Sequence, residues 1–496
     1  MLSGVNLLLQ GISMLFQIYL SRTIGAAGLG LLQLTLSVGS MALTVGISGI
    51  RITAMYLCAE EIGMRRQQGV KKALSACILY GLAMSIAAGT ALLLLSRPLA
   101  ERWIGDGRAA MSLRMLGIFL PVQCLCCIMT GFYTAAGKVG QLAAIEVGER
   151  VAAIALTMAL LRLWAKGDLC RSCCSIVLGS CLSSTFSLLA MWLCTIPCFP
   201  NAAQKTSQPM LRRMLSMCIP LALGDYVRSV LSSTEQMLIP RGLARYGGSS
   251  EQSMAAYGTI HGMVFPVIFF PTAFLGALID LLIPELSQNK IRGRTERILS
   301  LTDHCFRVGA LFSCTCAGLL HLYAGQLGSS LYHSSAAEKY IALFAPLVSV
   351  LYLDSITDGL LKGLGQQVHT VRYNTLTSFL DVIGLLFLLP RMGIAGYFIS
   401  FTVTHFLNFL LSAARLLRVT GYRLPARFLI KLIVSFALSV IAARPMPWSF
   451  LPLLFGLLLL LRAVDRTDYL WLSGVLRRKK VAVSTPLPLT SPKKEL

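Results

Sequence analysis

Asp225, Arg228, Ser232 and Glu235 follow one another in steps of 3, 4 and 3 inside a long apolar run. On a helix those steps put all four polar side chains on one face. An ionisable group in hydrocarbon costs at least about 2.5–3.5 kcal/mol on insertion scales. Such a face must therefore look onto a bundle interior or a watery cavity. Asp225 and Arg228 are spaced to pair. At about 1.5 Å per residue from Arg213 they sit about 18–23 Å along the helix, beyond mid-membrane, with Glu235 near the outer edge.

Other charges fall within apolar runs: Arg51, Asp280, Asp381, the series Asp354, Asp358 and Lys362, and the group Glu146, Glu149 and Arg150. Two chemistries fit. Arginine suits a phosphorylated ligand, because its planar fork binds oxygen bidentately and never deprotonates. Arg51 and Arg228 are the principal candidates, with Lys362 and Arg372 beside them. A buried carboxylate that gains and loses a cation suits ion-coupled transport, for which Asp225, Glu235, Asp280 and Asp381 are available. The same charges are also compatible with interhelical glue or interfacial caps. The first 59 residues hold no acid, which argues against a cation site in the opening helices. His261, His321, His333 and His369 stand isolated and read as interface residues. Cys170, Cys173 and Cys174 have neither a histidine beside them nor a second pair, so no metal site is expected. No catalytic constellation and no cofactor motif occurs in a suitable context, so the chain does not read as an enzyme.

The elements carrying these residues follow from composition. Of 496 residues, 55% are hydrophobic and 13% charged, and mean hydropathy is +0.71. A soluble surface needs about twice that charge. The class is an all-α polytopic membrane protein. Apolar runs long enough for a bilayer core of about 30 Å number fourteen, from 4–21 and 30–57 through 427–443 and 448–462. The N-terminus lacks a basic n-region and a small-residue cleavage site and reads as a first helix.

Net charge is +23. Because the bases cluster between apolar runs, this points to membrane topology rather than nucleic acid. Alternate connections plus the tail hold 28 of the 44 lysines and arginines, against 12 in the others. That asymmetry predicts both termini in the cytosol. The polar stretch 198–213 reads as a linker between a six-helix lobe over 1–197 and a second over 214–416. Gly131–Gly137 and Gly359–Gly365 are similar segments closing the fourth and tenth helices, which suggests parallel halves. Two extra helices (427–462) and a basic, Pro-rich tail (463–496) against the inner leaflet follow.

Ser21–Gly30 (SRTIGAAGLG), Ser48–Arg51 (SGIR), Ala59–Glu61 (AEE), Ile239–Gly242 (IPRG), Tyr257–Gly262 (YGTIHG) and Leu282–Ser287 (LIPELS) resemble stretches of the stage V sporulation protein B-like proteins. These form a branch of the multidrug/oligosaccharidyl-lipid/polysaccharide (MOP) flippase superfamily. The resemblance spans about residues 10–460. It implies two six-helix lobes around a cationic cavity, two further helices, and alternating-access transfer of an undecaprenyl-pyrophosphate-linked saccharide, such as a lipid II-like cell-wall or spore-cortex precursor or a polysaccharide unit. A bacterial inner-membrane location, a lipid-linked oligosaccharide substrate and cell-wall synthesis enzymes as partners go with it. Two family arginines upstream of the one matching Arg22 are Gln10 and Gln17 here, and a third is Tyr56. The alternatives are a cation-coupled drug or metabolite exporter and a non-transporting scaffold for cell-wall synthesis.

Overall fold

The computed structural model describes residues 2–64, 66–165, 167–195, 210–423 and 426–462. The expected linker lies largely outside these residues, as does the basic tail.

Helices α1 (Leu2–Ile47), α2 (Ile50–Gly63), α3 (Gln67–Pro98), α4 (Ala109–Ala135), α5 (Val139–Leu160) and α6 (Leu169–Thr195) occupy the segment assigned from sequence to a first lobe, and first lobe and second lobe are used below for the two assigned segments. The first expected helix and the start of the second are the two segments of α1, which meet at a kink at Gly25 without a loop between them. Gly25 takes φ +69°, a conformation that glycine adopts without a Cβ clash, so one residue stands where a loop was expected, and the expected second helix, 30–57, breaks instead between Ile47 and Ile50. Gly49 does the same between α1 and α2 at φ +72°.

The second lobe contains α7 (Met210–Tyr246), α8 (Ser250–Thr259), α9 (Phe265–Phe269), α10 (Thr272–Ile291), α11 (Thr295–Leu322), α12 (Ala324–Tyr332), α13 (Ser335–Phe344), α14 (Val348–Gly363), α15 (Gln367–Met392) and α16 (Ile394–Thr420). α7 already includes residues 210–213, so the polar break before it ends earlier than expected. The expected eighth helix is broken: a π-helical turn over Ile260–Val264 and a 50° bend near Pro271 separate α8 and α9 from α10. Finally α17 (Ala426–Ala443) and α18 (Phe450–Leu460) lie against α11. There the Arg307 guanidinium stacks 4.7 Å from the Phe428 ring centre, and Gly318 leaves room for Phe450.

Among the described residues, ten helices are long and apolar enough to cross a bilayer, or eleven counting the bent pair as one span. With the Gly25 kink dividing α1 and the shorter elements counted as passes, the succession is consistent with fourteen. This is a multi-pass helical membrane protein.

The face at which α1 begins is called proximal below and the other distal. Four proximal turns share one backbone hydrogen bond, reaching from the residue past the helix end to the carbonyl five before it: Arg66 to Glu61 at 2.9 Å, Lys138 to Tyr133 at 3.0 Å, Arg294 to Asn289 at 3.0 Å and Gln366 to Leu361 at 2.8 Å. Gly137, Gly293 and Gly365 supply the left-handed residue, at φ +69°, +66° and +69°. The similar segments 131–137 and 359–365 thus form the same turn.

On the distal side α1 and α8 cross backbone to backbone. A Cβ on Gly258 would overlap the Ala26 carbonyl oxygen and come within 2.9 Å of the Gly30 Cα. Two arginines brace this closure from opposite lobes. Arg22 donates to the carbonyls of Ser330 (2.7 Å) and Leu331 (3.0 Å), at the end of α12. Arg241 donates to the Arg102 carbonyl, in the π-helical turn Leu99–Ile104. Carbonyls at helix ends lack intrahelical donors, so each guanidinium meets a group with spare accepting capacity.

Candidate functional site: an arginine-lined interlobe chamber

Arg228 is the central residue of the 37-residue α7. Its guanidinium bonds the Asp225 carboxylate at 3.3 Å, the i, i+3 pair expected from spacing. The other Asp225 oxygen accepts from Ser48 of the first lobe at 2.6 Å. Asp225 is thus held from both sides and fixes Arg228 at the lobe boundary. Both side chains are partly exposed, at 57% and 42% for Arg228 and Asp225.

Arg51 reaches the same place by a different route. The Gly49 reversal starts α2 there, and Arg51 lies in its first turn. On the far side Gly131 lets α4 approach so closely that a Cβ would stand 2.6 Å from the Arg51 carbonyl oxygen. The start of α2 has no side-chain cap and no acid in its first turn. It therefore adds unsatisfied N–H groups and the positive end of a helix dipole.

Together these elements line an open cavity of about 530 Å³. Its lining includes Arg51, Arg228 and Asp225, Ser48 and Gly49, Ser40, Thr44, Ser229 and Ser232, with Ile47, Ile52 and Cys127 on its apolar part. Two guanidiniums and a helix N-terminus against one carboxylate already paired to Arg228 give the chamber a net positive lining, a chemistry that suits an anion with several oxygens. On the proximal side Arg213 and Glu60 bridge α7 to α2.

Sequence spacing placed Asp225, Arg228 and Ser232 on one face, and they do share the chamber. Glu235 does not join them. Ten residues along an α-helix is not a whole number of turns, and Glu235 turns into the second lobe, beside Asp381. Asp381 is buried in α15 and accepts from Ser400 at 2.6 Å and Thr404 at 3.2 Å. Tyr397 bonds His261 nearby at 3.3 Å. The polar stripe continues along α16 at four-residue steps: Asn408 bonds Asp354 at 2.9 Å and Ser412 bonds Asp358 at 3.0 Å. Glu235 and Asp381 are thus brought together from remote segments, away from the chamber.

Lys362, Arg372 and Asp280 are exposed and border no part of the chamber. Lys362 ends its helix beside Asp358. Arg372 lies in the first turns of α15, with its charge close to His369. Glu149 bonds Ser184 of α6 at 2.8 Å, as glue between helices, and Glu146 lies within electrostatic reach of both Arg51 and Arg150. Sequence reasoning missed the start of α2 and Ser48. Their one visible signal is a Ser-Gly pair just before Arg51 inside an apolar run. Among the described residues no group of three His, Cys, Asp or Glu could hold a metal ion.

The fold matches solved structures described as transporters of the MOP superfamily. The structure superposes on one described as the lipid II flippase MurJ in an inward closed conformation, with TM-score 0.66, 14% identity, and coverage of 97% of this chain and 99% of that one. It also matches an inward-facing multidrug resistance MATE family transporter of the MOP superfamily, with TM-score 0.63, 14% identity, and coverage of 84% and 99%. The MatE family profile matches residues 2–158. Stage V sporulation protein B of Bacillus subtilis (strain 168) is 22% identical over 436 residues, covering 86% of this chain and 83% of that protein. The sporulation protein YkvU of the same organism is 20% identical over 181 residues, covering 36% and 40%. The similarity to stage V sporulation protein B-like proteins expected from the motifs is thus present along most of the chain.

Proposed function

We propose that this chain is a flippase for an undecaprenyl-pyrophosphate-linked saccharide, a lipid II-like cell-wall or spore-cortex precursor or a polysaccharide unit. It sits in a bacterial inner membrane with both termini in the cytosol, so the proximal face is cytosolic. The observation that carries the reading is the convergence of Arg51, Arg228 and the uncapped start of α2 on one open chamber between the lobes. A pyrophosphate offers the several fixed oxygens that such an array binds. A cationic drug would meet two arginines with one paired carboxylate, which argues against the multidrug reading for this chamber. A scaffold has no use for a charged cavity at all.

In this mechanism the head group enters with the distal α1–α8 crossing closed. Asp225 holds Arg228 in position and releases part of its charge to the ligand. The lobes then rock, the distal crossing parts, and the head group leaves on the other side. Glu235 and Asp381 face each other within the second lobe and serve as the coupling pair, because two adjacent carboxylates share a cation or proton more readily than either alone holds its charge. Asp280 and Lys362 carry no role in this scheme.

Complementation tests both roles. The wild-type gene should sustain growth of a bacterium depleted of its lipid II flippase, and Glu235→Gln and Asp381→Asn should each cut precursor translocation at least about tenfold at equal membrane level, a loss of about 1.4 kcal/mol. Failure of the wild type to translocate precursor would remove the flippase reading. Full activity of both carboxamide variants would remove the coupling role and leave the rest.

A further inference from the structure

A second chamber of about 430 Å³ lies inside the first lobe. Its wall is largely aliphatic, with Leu32, Leu36, Leu116 and Ile154 among the lining residues, and its polar part is Gln17, Gln33 and Gln123 with Ser13, Ser180 and Thr157, together with Arg150; Phe16 also lines it, and no acid does. Gln17 donates to the Gly262 carbonyl at 3.1 Å. Gln33 and Gln123 are both half-buried, and among the described residues neither has a hydrogen-bond partner. Both amides are therefore free to bond water or a polar group that enters the chamber. The two chambers share the wall residue Ser40.

We propose that this chamber binds the sugar residue attached to the pyrophosphate, an assignment that rests on the flippase reading of the arginine chamber. A primary amide donates and accepts at once, which matches neighbouring hydroxyls or an N-acetyl group on a pyranose ring. Phe16 offers a flat apolar surface to the ring's C–H face. Arg150, in a chamber without acids, favours a carboxylate substituent and rejects a free amino sugar. In a lipid-linked saccharide the first sugar is bonded directly to the pyrophosphate, and here the two chambers adjoin at the shared wall residue Ser40. Its volume lies within the range of roughly 300–1,000 Å³ that holds drug-sized ligands.

The test uses the full-length protein in nanodiscs and two probes: farnesyl pyrophosphate, and the same lipid pyrophosphate carrying one N-acetylhexosamine. The wild type should bind the sugar-bearing probe more tightly. Gln33→Leu and Gln123→Leu are near-isosteric and should weaken that probe about tenfold, as expected for one or two lost hydrogen bonds. They should leave the Kd for farnesyl pyrophosphate in place, which also reports that the variants are folded. Gln33→Asn and Gln123→Asn keep the amide and should recover part of the difference. Equal wild-type affinity for the two probes would overturn the proposal, as would a leucine effect equal for both. The arginine chamber is read separately. If Arg51→Ala and Arg228→Ala bind farnesyl pyrophosphate as the wild type does, the pyrophosphate assignment fails, while a sugar-dependent difference lost in the leucine variants would still stand.

Discussion

Arg228→Ala and Arg51→Ala each reduce transfer of the lipid-linked head group by about ten- to a hundredfold, with protein levels in the membrane unchanged. The magnitude follows from what is removed. A hydrogen bond to a charged group is worth about 1.5–3 kcal/mol, and each guanidinium offers more than one. The effect stays below that of a dry ion pair because Arg228 is 57% exposed in the chamber and is screened by water. Folding is spared for the same reason, since neither arginine is locked in a buried network. Arg228→Lys keeps the charge and loses the fork, so it should recover only part of the activity. Asp225→Asn separates positioning from binding: it keeps one of the two acceptor oxygens, enough for Ser48 or for Arg228 but not both, and should cost less than loss of the arginine. Translocation assayed in spheroplasts through head-group accessibility reads all four variants. Wild-type rates for both alanine variants would mean the chamber does not carry the ligand.

Gly258→Val holds the distal ends of the lobes apart. The α1–α8 crossing leaves no volume for a side chain there, because the added carbon overlaps the Ala26 carbonyl and approaches Gly30. Overpacking of this kind costs about 1–3 kcal/mol, which moves a two-state equilibrium about 5- to 150-fold. The arginine braces resist that shift weakly. Arg22 and Arg241 bond carbonyls rather than carboxylates, so parting them strands no buried acid. Hydrogen exchange of the amides at 26–31 and 254–262 should accelerate, and head-group transfer should fall in step. Unchanged exchange at both segments would show that the crossing is not the closure this account takes it to be.

Much of this was legible in the sequence because the membrane makes charge conspicuous. Asp225 and Arg228 lie three residues apart on one helix, so their pairing needed only helical geometry. Arg51 stood out as a base in an apolar run. The partnership of Glu235 with Asp381 was not legible, because it joins α7 to α15 across more than a hundred residues and only packing decides which faces meet. Nor was the role of Gly49. A glycine within an apolar run reads as a small packing residue until its positive φ breaks the helix and exposes a new N-terminus beside Arg51. Gly25 misled in the other direction, since a stretch with three glycines and a charge suggests a loop and only one of its residues needed to leave the helix. Asp280 was conspicuous for its charge and ended on an exposed face, because hydropathy alone cannot say which way a side chain points.

The most direct test of the account is transfer in a defined membrane. The purified protein is reconstituted into liposomes with a fluorescent undecaprenyl-pyrophosphoryl saccharide in both leaflets, and a membrane-impermeant quencher is added outside. The account predicts that quenching proceeds well beyond the outer-leaflet fraction with the wild-type protein, and stops at that fraction in liposomes containing Arg228→Ala. Quenching that halts at the outer-leaflet fraction with the wild type, in vesicles that readily take up a small cationic dye through the same protein, would contradict it.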